Sequence, residues 1–194
     1  MAAVSDFVNE LRPSVPTVLG PLLKKAIVEG ARRFCFDSNV LAISLTKSPV
    51  VDAEVIDIKA LLDNSGLVED STTLANIVQV VGDGDALFVG NDYSKAKRSV
   101  ITVFDGVDTL SLVVSMQPIR NAIVMPDELF DDWLEPILEA ASAYIYSLPA
   151  HADGNLYQYH EREYIEKMRS AKREAMEALP HTSFSPRKRK REFF

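Results

Sequence analysis

The chain is 194 residues long, 47% hydrophobic and 25% charged, with a formal net charge of −7. The apolar share is enough for a real core, which excludes a chain disordered throughout, and the length fits one domain or one domain with a tail. A single cysteine excludes an internal disulfide, and no stretch reaches the roughly 18 apolar residues of a membrane span. The opening MAAVSDFVNELRPSVP has no basic region followed by an apolar one, so no secretory signal is read there. The expected setting is cytoplasm, or a particle assembled in it.

The first strongly periodic segment spans about 17–37. Leu19, Leu22, Leu23, Ala26, Ile27, Gly30, Ala31 and Phe34 recur at three- and four-residue spacings on one helical face. Pro21 suits the first turn, where its missing N–H is no loss, and Asp37, Ser38 and Asn39 close the helix. Cys35 lies between Phe34 and Phe36, which reads as a small buried hydrophobe and not a nucleophile.

Over residues 40–116 the period shortens. VLAISL, VVDAEVIDI, NIVQVV, DALFVG, SVITVFDG and TLSLVVSM are β-branched runs separated by turn signals. Gly82-Asp83-Gly84 predicts a hairpin loop. The alternation over 107–114 predicts half-buried antiparallel strands. Helical period returns over 126–148, with Pro126 at the first position, acidic residues in the opening turns and Pro136 as a kink or break. A last helix is predicted over 155–178, with a stripe of Leu156, Tyr157, His160, Tyr164, Met168, Ala171, Ala175 and Leu179. The short connection PAHADG predicts that these last two helices pack antiparallel.

The expected fold class is therefore α+β. Residues 1–179 should form a bundle of three main helices carrying a small antiparallel β-sheet or β-sandwich insertion. Residues 180–194 should form an extended C-terminal tail. That tail holds five basic residues against one acidic, +4, which leaves −11 on the rest. An acidic body with a basic tail points to the tail as the part that seeks an anionic partner. Phe184, Phe193 and Phe194 flank the run Arg187, Lys188, Arg189, Lys190 and Arg191. Aromatic and arginine anchors together read as a docking peptide.

No catalytic, cofactor-binding or metal set is expected. His151, His160 and His181 are far apart, and His160-Glu161-Arg162-Glu163-Tyr164 does not have the HExxH spacing. His160 is expected to be solvated or to pack between helices. Gly82-Asp83-Gly84-Asp85 lacks the alternating ligands of a calcium loop. Asp131-Asp132 is read as dipole-favoured charge at a helix start.

Three stretches carry a resemblance. SVPTVLGPLLKKAIVEGARRFCFDSNV (14–40), QPIRNAIVMPDELFDDWLEPILEAASAYIYSLP (117–149) and NLYQYHEREYIEKMRSAKREA (155–175) resemble, in order and spacing, the head-to-tail adaptor (head-completion) proteins of tailed bacteriophages. Pro136 departs from the usually uninterrupted family helix, and Asn39-Val40 stands where a tryptophan is typical. The resemblance implies a non-enzymatic structural subunit of the virion neck, assembled in the host cytoplasm. It implies a homo-oligomeric ring, commonly a dodecamer, bound beneath the portal protein and offering a platform to a downstream neck or tail protein. Double-stranded DNA would pass through without sequence-specific contact, and no membrane or cofactor would be involved. The tail residues Phe184, Arg187–Arg191, Phe193 and Phe194 would dock on the portal. Three other readings stand beside it: another neck or tail-tube component, a nucleic-acid-binding protein using RKRKR, and a small enzyme with no nameable site.

Overall fold

The structure, a computed structural model, describes residues 1–179; the docking residues expected between 184 and 194 lie outside the described residues. The described chain begins with a short strand β1 (Ala2–Ala3) and a helix α1 (Val4–Leu11) that sequence periodicity over 17–37 did not include. Val4, Phe7, Val8 and Leu11 follow the i, i+3, i+4, i+7 rule and are all buried. Phe7 meets Phe130 edge to face at 5.0 Å.

Helix α2 (Gly20–Ser38) is the centre of the molecule. Pro21 sits in its first turn, and Asn39 ends it in the left-handed region at φ 61°. Leu23, Ala26, Ile27, Gly30, Ala31 and Phe34 are buried as the stripe predicts. Leu19 is the N-cap, one residue outside the helix, and stands 77% exposed.

The middle of the chain forms β2 (Ala42–Lys47), β3 (Val55–Asp57), helix α3 (Ile58–Ser65), β4 (Thr72–Gly82), β5 (Asp85–Ala86), β6 (Tyr93–Lys97), β7 (Val100–Val103), β8 (Leu110–Pro118) and β9 (Val124–Met125). All pairings between these strands are antiparallel. One sheet has the order β2-β8-β4-β5, a second β3-β7-β6, and β1 pairs with β9. The expected hairpin at 82–84 is present: Gly82 faces Asp85 in the β4–β5 register, with Asp83 at φ 52° and Gly84 at φ 90°. Two successive positive φ values are what a two-residue type I′ turn needs, and glycine supplies the second at no steric cost. The Asp83 carboxylate accepts from the Thr109 N–H at 2.8 Å, tying the turn to the start of β8.

Two expectations for this region change. Helix α3 interrupts the β-rich segment. Asp57 caps it by accepting from the Lys59 N–H, Ile58 and Leu62 face the core, and Gly66 ends it at φ 66°. Strand β8 is not half-buried: every residue from Leu112 to Pro118 is buried. Ser115 donates to the Cys35 carbonyl of α2, so one face of β8 lies on that helix. Alternation then turns Leu110, Leu112, Val114 and Met116 the other way, into one core cluster with Ile56, Ile58, Leu62, Ile101 and Val103. Covering both faces removes the polar-out half of the pattern. Two register shifts, between Leu74 and Asn76 and between Ile77 and Gln79, bend β4 around this central strand.

The helix expected over 126–148 is two helices, α4 (Asp127–Asp131) and α5 (Leu134–Tyr146), with the break at Asp132-Trp133. Pro126 is the N-cap of α4, not its first helical residue. Pro136 falls in the first turn of α5, where an N–H would have no helical acceptor, so the break comes before the proline. Helix α6 (Gly154–Glu177) begins at Asp153, whose carboxylate accepts from the N–H groups of Asn155 and Leu156 at 3.0 Å. Pairing of residue 146 with 160 and of 135 with 167 makes α5 and α6 antiparallel. The architecture is thus α+β: α2, α5 and α6 form a bundle, and the β lobe is inserted between α2 and α5.

Candidate functional site

The polar side chains inside the bundle are committed to holding helices together. On α2, the Arg33 guanidinium lies 4.3 Å from the Tyr164 ring centroid of α6 and donates to Glu161 in a two-pronged pair, Nη1 to Oε2 at 2.8 Å. Hydrogen bonding to Arg33 holds the Glu161 carboxyl below its ordinary range, and the same bond raises the Arg33 pKa. Tyr164 is fully buried and donates to Asp37 Oδ2 at 2.6 Å. Burial, with that bond, raises the phenol pKa well above its ordinary value.

His160 Nδ1 lies 2.6 Å from Glu139 Oε2, and its ring stacks on Tyr146 with centroids 5.5 Å apart. It therefore packs between α5 and α6, the second of the two placements expected for it. Lys167 bridges Glu135 at 3.1 Å and Glu139 at 3.4 Å. Burial alone would lower its pKa, but bonds and charge from the two glutamates outweigh burial and raise it. Cys35 is fully buried, and burial pushes its thiol far above the range in which a thiolate forms. Among the described residues no group of three His, Cys, Asp or Glu side chains could hold a metal ion.

The surface features are of three kinds. A groove of about 600 Å³ runs between the α4–α5 corner and the last turns of α6. Asp131, Asp132, Trp133, Glu174, Ala175, Ala178 and Val40 line it. Trp133 leans on Phe34 with ring centroids 5.7 Å apart, so its indole is fixed from behind. Asp131 and Asp132 are at the C-terminal end of α4, not at a helix start as the sequence reading placed them; Asp132 precedes the N-cap of α5.

A second feature is exposed apolar surface on the β lobe: Val51, Val55, Phe88 and Val89 are each at least 49% exposed, and Phe104 is 37% exposed. Phe104 and Ala53 share a backbone hydrogen bond, which puts the 51–55 segment beside it.

The third feature is a local basic cluster on a body whose net charge is acidic. Lys95, Lys97 and Arg98 stand exposed on the β6–β7 hairpin, and Arg98 reaches over Phe36 of α2 at 5.6 Å. Arg32, one turn before Phe36, donates to the Pro118 carbonyl, two residues from Arg120. Burial, together with the charges of Arg120 and Arg98 and against that of Glu29, lowers the Arg32 pKa. The run Lys95-Ala96-Lys97-Arg98 was visible in the sequence. Its meeting with Arg32 and Arg120 was not.

No helix among the described residues is long and apolar enough to cross a membrane. No protein-family model and no curated protein matches the chain.

Proposed function

We propose that this chain is a structural ring subunit of a tailed-phage neck, a head-to-tail adaptor that sits beneath the portal and carries a downstream neck or tail protein. The observation that carries the reading is the element order. An amphipathic helix, a β lobe and a helix pair opening on Pro-Asp-Glu-Leu and Trp133 are followed by a basic, phenylalanine-bearing tail. In the proposed ring, commonly of twelve copies, the bundle helices pack beside those of the next subunit and surround the DNA. The exposed Leu156, Tyr157, Tyr159 and Met176 of α6 supply apolar surface for such side-by-side contact.

The charge distribution supports the same reading. An acidic wall repels phosphate and lets a genome pass without sticking. The arm with Phe184, Arg187–Arg191, Phe193 and Phe194 reaches the portal, and repetition around the ring multiplies each weak contact. The bundle polar groups, spent on helix pairing, favour a scaffold over a catalyst.

Electron microscopy of the purified chain, alone and mixed with purified portal rings, tests the proposal. The expected result is a closed ring seated on the portal, lost when residues 181–194 are deleted while the circular dichroism spectrum is kept. A chain that stays unbound at every salt concentration overturns it. Salt-sensitive retardation of duplex DNA by the full chain, without portal binding, would instead favour the nucleic-acid-binding reading of RKRKR.

A further inference from the structure

We infer that copies of this chain associate head to tail through the β lobe: the apolar, acidic-edged end of the β3-β7-β6 sheet of one copy seats on the basic β6–β7 hairpin and Phe36 of the next. The inference deepens the ring reading, and rests on it only for the closure of such a row into a ring.

The receiving end is an exposed apolar surface in a fixed frame. Val51, Val55, Phe88 and Val89 are each at least 49% exposed. Backbone bonds set their segments side by side: the Ala53 N–H donates to the Phe104 carbonyl at 3.1 Å, the Phe104 N–H to the Asp92 carbonyl at 2.9 Å, and the Asp92 N–H to the Phe88 carbonyl at 3.0 Å. Side chains stiffen the frame. Asp52 accepts from the Gly106 N–H at 2.6 Å, Glu54 from the Val51 N–H at 3.0 Å, and Asp92 from the Phe88 N–H at 2.9 Å. Within it Ala53 is held at φ 56°, a left-handed conformation that non-glycine residues uncommonly adopt. Apolar side chains grouped in solvent mark a contact surface, and a prearranged backbone has little ordering entropy to lose on docking.

Charge names the partner. The segments 50–55, 85–92 and 104–106 carry Asp52, Glu54, Asp85, Asp92 and Asp105, and no lysine or arginine. The step along β6 from Tyr93 to Lys97, about 13 Å, leads to the other end of the same sheet. There the sign reverses. Lys95, Lys97 and Arg98 are exposed and have no ion-pair partner among the described residues. Phe36, 40% exposed, lies 5.6 Å from the Arg98 guanidinium. Arg32, on the same helix as Phe36, is tied to the Pro118 carbonyl, two residues from Arg120. An apolar surface edged by carboxylates and a cationic surface with an exposed phenyl ring complement each other, and neither complements itself.

Either end set against a copy of itself would oppose like charges, so two-fold pairing is disfavoured. Unlike ends on one molecule leave each added copy with one free end of each sign. That is the heterologous arrangement from which rings and open rows are built. Exposed ion pairs are individually weak. The apolar contact therefore supplies the affinity, and the charges fix which end meets which.

Sedimentation velocity on the full-length protein reads the association. A patch variant carries Val55→Lys and Val89→Lys, and a hairpin variant carries Lys95→Ser, Lys97→Ser and Arg98→Ser. Every substituted side chain is exposed, so both variants should keep the wild-type circular dichroism spectrum. Wild type should form species larger than a dimer as its concentration rises, and each variant alone should stay monomeric. An equimolar mixture of the two variants should form a heterodimer and stop there. The mixture restores one intact contact, a result that neither misfolding nor two-fold pairing imitates. Wild type that is monomeric at every concentration, or a mixture that stays monomeric, overturns the inference. So does association that persists in the hairpin variant, and so does a hairpin variant that loses only its retention of duplex DNA, which assigns those cations to phosphate. Portal rings separate this from the neck reading. A wild type that is monomeric alone yet closes into a ring on the portal overturns only the head-to-tail contact, and rows that never seat on a portal overturn only the neck reading.

Discussion

Gly30 and Gly82 both occupy places where an added methyl group would collide, yet what it would meet differs. At Gly30, in the bundle, a Cβ would lie 2.9 Å from the Ile137 carbonyl oxygen and 3.0 Å from the Ala141 nitrogen. These are backbone atoms of α5, and they move only if a helix moves. At Gly82, in the β lobe, the same atom would meet Val107 Cγ1 at 2.9 Å and Leu87 Cδ1 at 3.1 Å, the ends of side chains. The α2–α5 seam at Gly30 is therefore built on backbone-to-backbone approach and tolerates little, while the space beside Gly82 is filled by side chains that can shift.

Substitutions can break or sharpen that contrast. The largest effect is expected at Phe34, fully buried between α2 and Trp133. Phe34→Ala should cost about 3–5 kcal/mol in urea unfolding, because the fixed helices cannot collapse into the space. Gly30→Ala should cost about 1–3 kcal/mol despite the better helix propensity of alanine. A neutral result there would show that α2 and α5 slide freely and would remove the contrast. Asp153→Ala leaves the Asn155 and Leu156 N–H groups without their cap and should cost about 1 kcal/mol.

An acid titration resolves a smaller effect. The folded Glu161 pKa lies below the unfolded value because Arg33 hydrogen-bonds its carboxylate. The stabilisation is therefore present above the unfolded glutamate pKa and is lost as pH falls through the lowered folded value. Glu161→Gln should flatten the fall in stability over that window, read from urea midpoints at successive pH values; an unchanged slope would show the pair contributes nothing. The smallest effect is expected at Gly82. Gly82→Ala should be nearly neutral, since yielding side chains and the roughly 0.5–1 kcal/mol that alanine gains over glycine in a strand offset each other. A loss as large as that of Gly30→Ala would mean that Val107 and Leu87 beside Gly82 yield no more than the α5 backbone does beside Gly30.

Much of the fold was legible in the residues. The stripe from Leu23 to Phe34, the Asp83-Gly84 turn and the antiparallel α5–α6 pair all follow from spacing and turn chemistry. Helix α1 was less so, although Val4, Phe7, Val8 and Leu11 keep helical spacing, because eight residues are too few to hold a helix without packing. The break at Asp132-Trp133 escaped because a proline signal drew attention to Pro136, which the first turn of α5 absorbs. Of the surface features, Asp131-Asp132 and Lys95-Ala96-Lys97-Arg98 were visible as charges. That the first pair faces Glu174 beside Trp133, and the second run joins Arg32 and Arg120, was not.

Sequence alone determined the local matters: where helices and turns form, that the class is α+β, that the body is acidic and its end basic. These depend on neighbours within a few residues, and on side-chain chemistry that needs no partner. Only the tertiary structure decided which faces meet. Tyr164 finds Asp37 across 127 positions and Arg32 finds Pro118 across 86. Such pairings arise from the burial of whole faces, in which many residues share one free-energy gain and no single one announces its partner.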